Sequence, residues 1–223
     1  MTNIPIMRVS YPDITIAQWK ARQLRGFFSN TDRTDPMLHH HLAGGAVAYR
    51  YPLIQYKVIR RHPMIIAAGD GIRHIYPHIM ENDTLFLDGV SYPCGNRHIE
   101  LGQEPLGASA VPLRYRFLSP WFALNQANFA RYRGMTQPEQ RQQLLARILV
   151  GNILSMAKGF GVTVEHQLTA VPRLQERRDQ FKGETILSFY GEFEVNFQLP
   201  ELLALGKSVS RGYGTYIRLR KGE

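Results

Sequence analysis

Three consecutive histidines, His39 to His41, lie in the polar connector that opens "MLHHHLAGGAVAYRYPLIQYK" (37–57), not on an apolar face. In an extended segment His39 and His41 project to one side. An imidazole with a pKa of about 6.5 gives or takes a proton at neutral pH, so such a pair suits base and acid at one reacting bond. In the strand that follows, Tyr49, Tyr51, Gln55 and Lys57 share one parity and can point toward the histidines, with Lys57 steadying phosphate charge. Three other readings stay open at this point: a surface histidine run, a weak metal site, and tyrosines present only because they favour strands.

The second reactive stretch is "LGKSVSRGYGTYIRL" (205–219), in which Gly206, Gly212 and Gly214 alternate with Lys207, Ser208, Ser210 and Arg211. Glycines admit positive φ and close approach, so either the stretch is a turn closing a sheet or its N–H groups converge on phosphate. It is not a nucleotide-binding P-loop despite "GKS", because that motif needs a glycine where Glu201 stands. Beyond it, Tyr216, Arg218 and Arg220 share a strand face that suits stacking and phosphate contact with RNA. Catalytic metal is not expected. Only Asp32 and Asp35 accompany the histidine run, and His74 and His78, though four apart, have Pro77 between them. Nothing places a base beside Cys94, so a nucleophilic thiol is not expected either.

A net charge of +9 suits a polyanionic partner. The 44% hydrophobic content furnishes a core, which argues against disorder. No apolar run approaches the length of a membrane span, and "MTNIPIMRVSYP" lacks the pattern of an export signal. A single cysteine excludes an intramolecular disulfide and a cysteine-rich zinc site. A reducing, cytoplasmic setting is the expectation.

These residues need a scaffold, and the pattern supplies one. "IPIMRVSYP" (4–12) reads as a strand, and "DITIAQWKARQLRGFF" as a helix capped by Asp13 or Thr15 with Ala17, Ala21, Leu24 and Phe28 on one stripe. Residues 46–59 and 62–69 read as a hairpin, followed by a short helix limited by Pro77 and strands near "DTLFLDGV" and "NRHIELG". A second series opens at "VPLRYRFLSP" (111–120). Its helix, "TQPEQRQQLLARILVGNILSMAKG", carries a Thr136–Glu139 capping box, Pro138 in the first turn and Gly159 at the end. "GVTVEHQLTAV" and the long strand "GETILSFYGEFEVNFQLP", with a bulge or bend at Gly191, come next, joined by a charged loop, "PRLQERRDQFKG" (172–183). A "PELLALG" helix precedes the glycine stretch. The class is α+β, with antiparallel sheets in two tandem ferredoxin-like βαββαβ domains, 1–108 and 109–223.

The doubled plan, the glycine stretch before the last strand and the histidine after the first helix resemble CRISPR-associated endoribonucleases that cut precursor CRISPR RNA at its repeats. "LRGFF", "LHHH" and "YRYPLIQYK" are similar to the amino-terminal domain of the b-type branch. The resemblance implies metal-independent cleavage with no cofactor, leaving a 5′-hydroxyl and a 2′,3′-cyclic or 3′-phosphate. It implies acid–base roles for His39 and His41, with Tyr49 assisting and Tyr51 as its substitute. Gly206, Lys207, Ser210, Arg211, Gly212 and Gly214 would hold the RNA backbone, helped by Lys57 and Arg25. The implied partners are repeat RNA and other subunits of a CRISPR complex, with the chain a monomer or homodimer. The competing expectation is a non-catalytic RNA-binding subunit, and a metal-dependent hydrolase of small substrates ranks third.

Overall fold

The structure, a computed structural model, describes residues 1–32, 35–39, 50–181 and 183–220, with Pro36 and His39 described by their backbone alone. Two compact units emerge. One comprises Asn3–Glu104 with Ser210–Gly212, the other Met1–Thr2, Pro105–Val209 and Tyr213–Glu223.

The first unit contains β1 (Thr2–Ser10), α1 (Ala21–Thr31), α2 (Pro36–His39), β2 (Ile54–Ile59), β3 (His62–Ala68), α3 (Gly71–Glu81), the hairpin β4 (Thr84–Leu87) and β5 (Val90–Pro93), and the start of β6 (His98–Phe117). Its sheet order is β2-β3-β1-β6, and β3 pairs antiparallel with both neighbours. Val9, Tyr56 and Ile65 from the sheet pack with Leu24 and Phe28 of α1 and Ile75 and Ile79 of α3 in one buried cluster. Burying each such side chain contributes about 1.5–3 kcal/mol, which is why these stripes decide where the helices lie.

Three expectations need correction here. Helix α1 starts later than its pattern suggests, and Lys20, whose side chain makes no capping bond, stands at its N-cap. Residues 14–17 stay out of the helix because Ile14 and Ile16 enter the core and the Ile16 N–H donates to the Arg61 carbonyl at 2.8 Å, and Gln18–Lys20 form a single 3-10 turn that leads into α1. Helix α3 runs through Pro77 for eleven residues, its Ile75 and Ile79 face offsetting the lost backbone bond. Strand β2 begins at Ile54; residues 46–49 of the expected run lie outside the described residues.

The second unit contains the rest of β6, α4 (Gln126–Gly134), α5 (Pro138–Gly159), β7 (Ala170–Phe181), β8 (Glu184–Gln198) and β9 (Tyr216–Arg218). Strand β6 pairs with β8 and β9, and β7 lies outside β8, all antiparallel. Buried Tyr115, Phe193 and Tyr216 form its aromatic centre, and Trp121 stacks on Phe117 with ring centroids 5.4 Å apart. The segment "EPLGASAVP", where the expected boundary between the two domains falls, is part of β6, and a register shift between Ala108 and Leu113 absorbs its small residues. The charged "PRLQERRDQFKG" is strand, not loop: β7 pairs residue by residue with β8 from Ala170 to Phe181. Conversely, most of "GVTVEHQLTAV" is not strand, and "PELLALG" is turn, with Ala204 bridging Thr215. The Thr136 box does not form, since Gln137 is the N-cap of α5 and makes no side-chain bond; Pro138 stands first in the helix as expected. Gly191 marks a close approach instead of a bulge: its φ is +125° and a Cβ would collide with the Arg173 carbonyl oxygen, while the pairing continues unbroken. Among the described residues no helix is long and apolar enough to cross a membrane.

Candidate functional site

The histidine run enters the described structure only at His39, the last residue of α2; His41 and Tyr49 lie outside the described residues. What precedes them is well anchored. The Asp35 carboxylate accepts the Met37 N–H at 2.7 Å, and the Asp35 carbonyl accepts the Leu38 N–H at 3.2 Å. Leu38 is buried, and Ser29 of α1 donates its hydroxyl to the Leu38 carbonyl at 2.9 Å. His74 of α3 reaches the other Asp35 oxygen at 2.6 Å.

Tyr51, Gln55 and Lys57 do line up, as their parity predicts. Lys57 Nζ donates to Gln55 Oε1 at 2.9 Å, and Gln55 Nε2 donates to Tyr51 Oη at 2.9 Å. The row is buried, however, with Lys57 only 1% exposed. Burial holds its ammonium pKa well below the ordinary lysine range. Lys57 is therefore an interior residue and not a surface contact for phosphate, which corrects the expectation for it. The opposite parity gives Tyr56, whose ring stacks on Phe28 with centroids 5.9 Å apart. Its buried hydroxyl has no hydrogen-bond partner among the described residues, and burial raises its pKa while the nearby Arg25 charge opposes that rise. Arg25 is half-buried, and its guanidinium pKa is lowered by burial first and by the neighbouring Arg211 second.

Arg211 comes from the glycine stretch, whose parts separate. Ser210, Arg211 and Gly212 belong to the first unit, where a Cβ on Gly212 would stand 3.0 Å from the Tyr56 carbonyl oxygen and 3.2 Å from Lys57 Cα. Gly206, Lys207 and Gly214 belong to the second. There Gly206 has φ +93° and leaves only 2.6 Å between an added Cβ and Trp121 Nε1, while at Gly214, φ +70°, a Cβ would collide with the Leu205 carbonyl oxygen. The Lys207 N–H donates to Phe122 O at 3.1 Å and the Gly214 N–H to Pro120 O at 2.8 Å. Those two amides are committed inside the unit, and Gly212 and Gly214 are buried, so the notion of an open row of N–H groups is corrected. What the stretch offers a polyanion is side chains: exposed Lys207 and half-buried Ser210 and Arg211. Tyr216 is likewise a core residue and not part of a stacking face.

The structure thus gathers Arg25, Ser210, Arg211 and Gly212 about β2, with Lys57 behind them, and sets Gly206, Lys207 and Gly214 in the other unit. Sequence reasoning missed the Asp35–His74 contact. Its signal was present: an aspartate directly before a proline is a strong helix-start pair, and it marks α2.

Two family models match the chain, the Cas6b N-terminal domain over residues 2–104 and the Cas6b C-terminal domain over residues 107–219. A solved structure described as "Crystal structure of Cas6b" superposes with a TM-score of 0.92 at 33% identity, over 98% of this chain and 100% of that one. Another, "Crystal structure of CRISPR RNA processing endoribonuclease Cas6b", gives a TM-score of 0.80 at 31% identity over 98% of this chain and 100% of that one. An uncharacterized protein of Methanocaldococcus jannaschii is 39% identical over 146 residues, which is 64% of this chain and 97% of that protein. With both halves matched in order by one family and the whole chain superposing on its solved members, the chain belongs to the Cas6b family.

Proposed function

We propose that this chain cuts CRISPR repeat RNA at an internal phosphodiester, using the RNA's own 2′-hydroxyl and no metal ion. RNA brings its nucleophile with it, so the protein has only to align it, move two protons and hold phosphate charge. A base takes the 2′-hydroxyl proton, the oxygen attacks the adjacent phosphorus, the bond to the 5′-oxygen breaks, and an acid protonates that oxygen. The products are a 2′,3′-cyclic phosphate and a 5′-hydroxyl. His39 and His41 carry the protons with Tyr49 assisting. Lys207, Ser210 and Arg211 hold the RNA backbone, and Arg25 adds charge. Gly206, Gly212 and Gly214 act by shaping the stretch that presents those side chains.

The likeness to the solved processing endoribonuclease over nearly the whole chain carries this reading, and the net charge of +9 supports it. The test is to incubate the protein with its own genome's repeat RNA plus a chelator, then map the cut and its end groups. Full activity in chelator with cyclic phosphate ends is expected. His39→Ala or His41→Ala should slow single-turnover cleavage roughly 10²–10⁴-fold. Loss of all cleavage in chelator would sink the metal-free chemistry. Binding without a cut at any pH would make the chain an RNA-binding subunit.

A further inference from the structure

Helix α2 is four residues long, too short to hold itself by backbone bonds alone. It is pinned from two sides: from α1 by the Ser29 hydroxyl on the Leu38 carbonyl, and from α3 by His74. The second contact runs through Asp35, whose carboxylate spans both elements. One oxygen accepts the Met37 N–H inside the segment at 2.7 Å, and the other meets His74 Nδ1 at 2.6 Å. An ionised carboxylate only accepts, so Nδ1 carries the hydrogen and the contact fixes the ring and the carboxylate together. Both side chains are largely shielded, Asp35 at 14% and His74 at 28% exposure, where such a charge-assisted bond is stronger than on an open surface. The histidine run starts at the end of this helix, four residues from Asp35.

From this juxtaposition we infer that Asp35 and His74 are a positioning pair: through α2 they set where the histidine run meets the scissile phosphodiester, without touching RNA themselves. The inference rests on the acid–base reading above. The effect of His74 travels to the chemistry and not to RNA affinity. A misplacement of about 1 Å costs roughly 100-fold in rate, so a loosened α2 is expected to cost about 10- to 100-fold.

The experiment measures single-turnover cleavage of the repeat RNA at saturating protein, with RNA affinity and melting temperature determined on the same samples. His74→Ala should lose about 10- to 100-fold in rate, with affinity within about twofold of wild type. His74→Asn places an N–H donor where Nδ1 stood and should restore most of the rate, whereas His74→Gln, with its amide one bond further out, should not. In a His39→Ala, His41→Ala background, adding His74→Ala should cost nothing more, since it acts through those histidines. A wild-type rate in His74→Ala overturns the inference, as does an additive loss in the His39→Ala, His41→Ala background or a loss of rate and affinity together. If the alanine variant melts below assay temperature, the Asn and Gln variants decide alone, and equal rates for them overturn it. Wild-type cutting by the His39→Ala, His41→Ala protein would instead overturn the acid–base reading, whatever His74 does.

Discussion

Segment 35–39 and the glycine stretch 206–214 are both short pieces of chain to which the proposed function assigns RNA contacts, and they are held in opposite ways. The first is held by side chains: Asp35, Ser29 and His74 form its bonds and Leu38 its buried anchor. The second is held by its main chain, through positive φ at three glycines and amides aimed into the unit. In one, polar groups are turned inward to fix a position. In the other, the backbone takes up the packing and leaves Lys207 and Arg211 for the surface. A proton carrier must be placed in register with a bond, whereas a grip on phosphate charge needs only cations on a firm base.

The largest break in that contrast is Gly214→Ala. An added Cβ would meet the Leu205 carbonyl at a φ that side chains avoid, so a loss of about 3 kcal/mol or more is expected. Gly26→Ala, where a Cβ meets nothing within 4 Å, is its control and should be neutral or stabilising by up to about 1 kcal/mol. Matching denaturant midpoints for the two variants would show that the stretch is not held by its main chain.

Lys57 sharpens the other side. Its folded pKa lies below its unfolded one, so between the two the unfolded chain binds the extra proton and stability rises with pH. Lys57→Met removes that dependence. Whatever the offset at pH 7, the difference should move toward wild type as pH climbs to 10, by up to about 1.4 kcal/mol per pH unit. Parallel stability curves for the two proteins would place the lysine's charge in water. Smallest in stability is Arg211→Ala, which leaves the melting temperature unchanged, weakens repeat RNA binding and lowers the log–log salt slope by about 0.7 for each phosphate it no longer neutralises. An unaltered slope would remove Arg211 from the RNA interface.

How much of this was legible depended on whether a residue's periodicity matched its burial. Helix α5 was readable because Leu145, Leu149 and Met156 sit on one stripe and all are buried. Strand β8 was readable because Phe189, Phe193, Val195 and Phe197 alternate with polar residues. Strand β7 was not, because its central residues are exposed on both faces and answered across the ribbon: Arg173 pairs with Glu194 at 3.1 Å, and Arg177 lies over the Tyr190 ring. Such a strand carries no apolar period to read. At the site, parity correctly joined Tyr51, Gln55 and Lys57, but parity gives direction along a strand and not depth, so the burial of Lys57 was out of reach. The glycines announced a turn, and which carbonyls the amides of Lys207 and Gly214 would meet depended on Phe122 and Pro120, far away in sequence.

Ser210–Gly212 completes the amino-terminal unit, yet a ribosome adds it roughly a hundred residues after Glu104. At about 5–20 residues per second that is a wait of several seconds to some tens of seconds. During translation the backbone at Tyr56 and Lys57 stays uncovered and Arg25 lacks its cationic neighbour. The contacts that Ser210–Gly212 makes in the amino-terminal unit therefore form only after Pro105–Val209 of the other unit has been synthesised.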